Sequence, residues 1–122
     1  MNYIIRWTPS GFSVHFEGNV TFKDIEDSGN VLYGDSRFDN VELAIFDYSN
    51  ATTLDLSIVD LRIISTLDIG ASRWNDKLKL ALVTNKNNPK ITKICNTYKR
   101  FMKENNWKIE IFEDVQDALK WD

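Results

Sequence analysis

His15 is the only histidine and Cys95 the only cysteine among 122 residues, so carboxylates, hydroxyls and cations carry most of the chemistry open to this chain. One histidine excludes the usual multi-histidine metal sites. One cysteine excludes a disulfide within the chain and a cysteine-based zinc site, which fits a reducing compartment. His15 falls on the strand face opposite Phe12, Val14 and Phe16. A general base needs a nucleophile or proton donor within hydrogen-bond reach, and no motif names one, so the expectation is a surface or interface residue. Cys95 lies within an apolar helix stripe and is expected to be an inert core thiol, because a reactive one needs exposure and a lowered pKa. There is no P-loop, G-x-G-x-x-G, G-x-S-x-G or H-E-x-x-H. A non-enzyme without metal or cofactor is therefore expected.

The remaining candidates gather in two polar stretches. Asp47, Ser49, Thr53 and Ser57 follow one apolar run, and Thr84, Lys86 and Lys90 follow another. In open α/β sheets, ligands collect beyond the carboxyl ends of parallel strands. A helix N-terminus there offers free N–H groups and a positive dipole end to an anion. The functional expectation is a small anionic ligand, or a partner's acidic group, at this edge; capping and turn formation by Asn and Ser explain the same residues without one. Asp47 either holds a ligand or ties its loop to a neighbouring N–H. Arg37 either pairs with a phosphate or carboxylate, or bridges to Asp35 or Asp39 while Phe38 plugs the core. Arg73 and Trp74 either form a contact surface, since both types are enriched at binding hot spots, or fill a gap under the sheet. Four tryptophans in this length favour an apolar pocket or an oligomer interface.

Periodicity places these residues on elements. Tyr3 to Trp7 and Phe12 to Glu17 read as a β-hairpin around Pro9-Ser10-Gly11, ended by Gly18-Asn19. Thr21, with Asp24 three residues on, opens a helix whose apolar face is Phe22, Ile25, Gly29, Leu32 and Tyr33, with Gly34 as its stop. Gly29 in that stripe predicts close packing on a sheet. Val41 to Phe46 reads as a buried strand, Asp47 to Thr53 as a loop, and Asp55 to Ala71 as a helix with Leu54, Ile58, Leu61, Ile64 and Ser65 inward. Leu78 to Thr84 is a further strand and Asn85 to Asn88 a loop. Asn88-Pro89 opens a helix carrying Ile91, Ile94, Cys95, Tyr98, Phe101 and Met102 on one face. Trp107 to Phe112 is the last strand, and Asp114 caps a short helix through Trp121. The order ββαβαβαβα predicts an α/β fold over residues 1–122 as a single domain: a mixed five-stranded sheet, antiparallel at the initial hairpin and parallel elsewhere, packed with four helices.

Composition agrees with a globular domain: 43% hydrophobic, 27% charged and net charge −3. The interspersed signs speak against nucleic acid, which needs clustered Lys and Arg. Lys99, Arg100 and Lys103 read as a solvated helix face. No apolar run approaches the ~18 residues of a membrane span, and the first residues carry no signal-peptide pattern. A cytoplasmic protein is the expectation.

With its details, this order resembles the STAS / SpoIIAA-like group of small bacterial domains. The resemblance spans nearly the whole chain. It rests on Leu32-Tyr33-Gly34-Asp35-Ser36-Arg37-Phe38-Asp39, a D-x-R-F segment before a strand ending at Asp47. The Val20-Thr21 helix start, Lys79-Leu80-Ala81-Leu82-Val83, and Ile111-Phe112-Glu113-Asp114 with Ala118-Leu119-Lys120-Trp121 add to it. In anti-sigma-factor antagonists of this group, D-[ST]-[ST]-G carries a phosphorylated hydroxyl after the third strand. Here the stretch reads Asp47-Tyr48-Ser49-Asn50-Ala51-Thr52-Thr53-Leu54-Asp55-Leu56-Ser57, without the motif or its glycine. Asp55 would repel a phosphoryl group bringing about 1.5–2 negative charges. Ser57 is the closest positional candidate, but the phosphoswitch is not carried over. Response-regulator receivers share an Asp-ended and a Thr-ended strand, matching Asp47 and Thr84, yet this chain lacks their acidic pair, their Lys-Pro and their starting topology. The resemblance implies a non-catalytic regulatory or protein-interaction module, through a partner or self-association. The alternative is a small-molecule or lipid-binding domain with a site at the carboxyl edge of the sheet, as in SEC14-like relatives of the fold.

Overall fold

Alternation of apolar and polar residues builds the first strands. In β1 (Tyr3–Thr8) and β2 (Gly11–Thr21), Tyr3, Ile5, Trp7, Phe12, Val14, Phe16 and Val20 all face one core. The structure, a computed structural model, describes residues 2–121. Its five strands lie in the order β1-β2-β3-β4-β5, so chain order and spatial order coincide. β1 pairs antiparallel with β2, and every later pairing is parallel. Each parallel step needs a crossover, supplied by α1 (Phe22–Tyr33), α2 (Ile58–Trp74) and α3 (Pro89–Phe101). This is the mixed α/β sandwich expected from the element order.

The three long helices cover one face of the sheet over the main core, in which Val14, Phe16 and Val20 are fully buried. α4 (Val115–Leu119) packs alone on the other face, against Ile45, Ala81 and Val83, with Trp121 on Phe112. That leaves the reverse face of β1 and β2 uncovered: Ile4 is 52% exposed there. Gly11 permits a close backbone approach to the third strand, since a Cβ at that position would overlap the Leu43 carbonyl oxygen.

The main departure from expectation is β3 (Leu43–Asp55), which continues through the stretch read as a loop at Asp47 to Thr53. β2 likewise runs past Gly18-Asn19 to Thr21, and the two stay paired as far as Thr21 opposite Asp55. Two register irregularities, between His15 and Glu17 and between Gly18 and Asn19, break the period-2 pattern. Gly18 has φ of 68°, a left-handed value suited to glycine. β4 (Lys79–Val83) stops at Val83 opposite Asp47, so the second half of β3 has a neighbour on one side only. A strand edge facing solvent takes the polar, hydroxyl-rich composition of a loop, and that is why it read as one. α2 consequently starts after Ser57 rather than at Asp55, and Ile58, expected inward, is 55% exposed.

Smaller corrections follow. β5 spans Lys108–Phe112, and α4 ends at Leu119 before Trp121. Gly29 does not press on the sheet: a Cβ there would meet nothing within 4 Å. Thr21 and Asp24 form the expected reciprocal cap of α1.

Candidate functional site

The carboxyl edge of the sheet gathers only part of the expected set. Asp47 lies within β3 rather than in a loop, opposite Val83 and so level with Thr84. One carboxylate oxygen accepts the Ser49 backbone N–H at 2.9 Å, and the other sits 3.4 Å from His15 Nδ1. The His15 ring also approaches Glu17 at 3.3 Å and Asn50 at 3.2 Å, on the uncovered face. Asp47 is therefore hydrogen-bonded within the sheet.

The second edge loop is also occupied by the protein itself. Asn85 Nδ2 donates to the Ser49 carbonyl at 3.3 Å and Asn88 Nδ2 to the Thr52 carbonyl at 3.0 Å. The Thr53 hydroxyl donates to the Asn19 side chain. Asn88 therefore makes no side-chain cap on α3. Lys86 and Lys90 are exposed beyond it and form no ion pair among the described residues. Thr84 is fully buried, and its hydroxyl has no hydrogen-bond partner among the described residues.

Ser57 is the N-cap of α2. Its hydroxyl accepts the Asp60 N–H at 3.0 Å, and the Asp60 carboxylate accepts the Ser57 N–H at 2.9 Å. The carboxylate that would confront a phosphoryl group on Ser57 is thus Asp60, beside the Asp55 named from sequence.

Arg73 and Trp74 belong to the opposite edge. They end α2 just before Asn75, whose amide donates to the carbonyls of Phe38 at 2.7 Å and Val41 at 3.0 Å, below the start of β3. Trp74 packs on Phe38 at 5.7 Å yet stays 58% exposed, so it serves both as gap filler and as surface. Arg37 chelates Asp35, with Nη2 2.7 Å from Oδ2, and lies 4.0 Å over the Trp7 ring. The Arg37 side-chain and backbone hydrogen bonds hold the Asp35 carboxyl down at about 2.

The cluster that sequence reading missed is under α2. Asp68 is on its buried face with Leu61, Ser65 and Ser72. The Tyr33 hydroxyl from α1 donates to one carboxylate oxygen, and the Tyr98 hydroxyl from α3 donates to the other at 2.7 Å. Burial pushes the Asp68 carboxyl up to about 6, against the lowering effect of both tyrosines. A small apolar pocket of about 30 Å³ lies beside it, lined by Phe46, Tyr48, Leu61, Cys95 and Tyr98. A cleft of about 120 Å³ between α1 and α2 reaches Asp68 and Tyr33 past Phe22, Gly29 and Leu67. Gly29 thus opens a cleft instead of closing a contact. Cys95 is buried at the same core, which pushes its thiol up to about 12 and leaves it unreactive. The available signal was a charged residue at an inward position of the Leu61–Ser65–Asp68–Ser72 series.

The outer face of α2 is apolar as well. Val59, Ile63, Leu67 and Trp74 follow one another at near-four-residue or two-turn spacing, exposed by 65%, 44%, 58% and 58%. The four side chains form one apolar stripe along the solvent side of the helix.

The fold so defined is SpoIIAA-like. A solved structure of an uncharacterised protein of the DUF3478 family with a SpoIIAA-like fold, from Shewanella loihica PV-4, matches with a TM-score of 0.54 and 19% identity, covering 98% of this chain and 90% of that one. No family model matches the chain, and no curated protein does. No helix among the described residues is long and apolar enough to cross a membrane.

Proposed function

We propose that this chain is a non-catalytic interaction module that engages a protein partner with the outer face of α2. The supporting observation is the Val59–Ile63–Leu67–Trp74 stripe. Burying such side chains against a partner removes apolar surface from water, the dominant favourable contribution to most protein–protein association, and Arg73 beside Trp74 adds a residue type favoured at hot spots. Photo-crosslinker placed at Ile63 in the native cell should give a discrete adduct, absent when it is placed at exposed Lys23 on α1. A band at twice the chain mass would identify self-association. Equal labelling at both positions, or none at Ile63, would end this reading.

A second reading is favoured by the Asp68 cluster: an apolar small molecule in the α1–α2 cleft, with the carboxyl and two tyrosine hydroxyls as its polar end. Binding pockets pair apolar walls with a few convergent polar groups in this way. Mass spectrometry of natively purified protein should then show a bound mass that Gly29→Leu, which fills the cleft, removes.

A further inference from the structure

The signs are interspersed over most of the chain, whose net charge is −3, but one stretch departs from that pattern. No Asp or Glu occurs from Lys77 through Lys103, a stretch holding Lys77, Lys79, Lys86, Lys90, Lys93, Lys99, Arg100 and Lys103. Between Asp60 and Asp76, α2 carries one acid, Asp68, and that one is buried beneath the helix. Packing α2 beside α3 therefore sets cation against cation. An open groove of about 610 Å³ runs between them, lined by Arg62, Ser65, Thr66 and Ile69 of α2, Arg100 and Phe101 of α3, and Lys103 just past the end of α3.

Lys99 on the same helix reaches Glu110 at 3.3 Å, but Arg62, Arg100 and Lys103 form no ion pair among the described residues. Arg62 Cζ lies 4.3 Å over the Phe101 ring, a cation–π contact, and its N–H groups have no protein acceptor among the described residues. Arg100 uses one N–H on the Thr97 hydroxyl at 3.3 Å and has the rest available. Like charges around one recess repel, so the arrangement is costly until an anion enters. Two guanidinium forks and one ammonium match the oxygens of a phosphate, which Arg binds bidentately and Lys as a point charge. Ile69 and Phe101 supply apolar surface for the rest of a molecule. The volume falls in the range of small-ligand sites.

We propose that the α2–α3 groove binds an organic phosphate carrying at least two negative charges, its phosphoryl oxygens held by Arg62, Arg100 and Lys103. The site is separate from the α2 outer stripe and from the Asp68 cleft, so it stands or falls apart from the functions proposed above. The phosphate belongs either to a free metabolite or to a lipid headgroup.

Titration with inorganic pyrophosphate, followed by backbone amide NMR, tests the site. Saturable shifts should appear at residues 62–69 and 97–103 and weaken as salt rises. Arg62→Ala with Arg100→Ala should weaken binding at least ~10-fold, which corresponds to about 1.4 kcal/mol. Lys103→Ala should weaken it less, and Lys23→Ala on α1 not at all. An unchanged thermal midpoint shows that the variants fold. A second arm uses vesicles containing phosphatidic acid: vesicle binding that pyrophosphate competes away assigns the phosphate to a lipid, whereas pyrophosphate binding alone assigns it to a free metabolite. Absence of saturation, shifts dispersed over the other lysines, or an Arg62→Ala/Arg100→Ala variant that binds normally would overturn the proposal. So would polyglutamate binding more tightly than pyrophosphate through the same arginines, because the groove would then serve an acidic protein segment.

Discussion

Asp68 couples the core to pH. Its carboxyl is raised to about 6, from an ordinary value of 3.8, because burial disfavours the charged form more than two tyrosine hydroxyls favour it. A raised acid means that the native state holds its proton where the unfolded chain has released it. Stability from this group is therefore complete below about pH 4 and is lost as pH rises to about 6, amounting to about 3 kcal/mol. Asp68→Asn keeps the shape and removes the titration. Its stability, from urea unfolding at several pH values, should lack the decline between pH 4 and 6 that the unmodified chain shows; parallel profiles would refute the assignment. Thr84 offers a second residue-scale test. Its buried hydroxyl has no partner among the described residues, and leaving such a group unsatisfied costs about 1–3 kcal/mol. Thr84→Val is expected to raise stability by about 1 kcal/mol, and a loss of that size would show that the hydroxyl is satisfied after all.

At the scale of elements, the informative one is the second half of β3. Tyr48, Ala51 and Leu54 are its buried residues, separated by polar ones at intervals of three rather than two. Bulged pairing with β2 produces that spacing, and the solvent-facing edge beyond Val83 permits the polarity. The extension moves the start of α2 to Ser57, where the reciprocal Ser57–Asp60 cap fixes it. Ser57→Ala should cost about 1 kcal/mol by chemical denaturation; no cost would mean the cap is replaced by solvent. In α1, Gly29 has open space where a Cβ would stand. Gly29→Ala should stabilise the protein by roughly 0.5–1 kcal/mol through helix propensity. A destabilised Gly29→Ala variant would mean the cleft is narrower than its walls indicate.

The whole molecule presents distinct surfaces. The α2–α3 side is cationic, α2 adds an apolar stripe, and the reverse of β1 and β2 carries the His15–Glu17–Asp47 group. Side chains on the α2 stripe are mostly in water, so changing them removes little from the folded state. Val59→Asp with Leu67→Asp should change stability by no more than exposed substitutions usually do, about 0.5 kcal/mol each, and so leave the thermal midpoint nearly unmoved. The same pair should abolish the adducts at Ile63. A large drop in the midpoint would reassign the stripe to folding rather than to contact.

From residue order alone come the alternation of strands and helices, the parallel sheet with an antiparallel start, the Thr21 cap, and the buried thiol of Cys95; a bridge from Arg37 to Asp35 or Asp39 is one of two alternatives there, and the structure selects Asp35. All of these depend on residues close in the chain or on hydrophobic period, and both are written locally. Asp47 in mid-strand, Arg73 and Trp74 at the far edge, the Tyr33–Asp68–Tyr98 contact and the meeting of Arg62 with Arg100 and Lys103 required the tertiary structure. Each joins segments about 30 or more residues apart or depends on where a neighbouring strand stops. Such contacts follow from how helices settle side by side on the sheet, a geometry that no local pattern encodes.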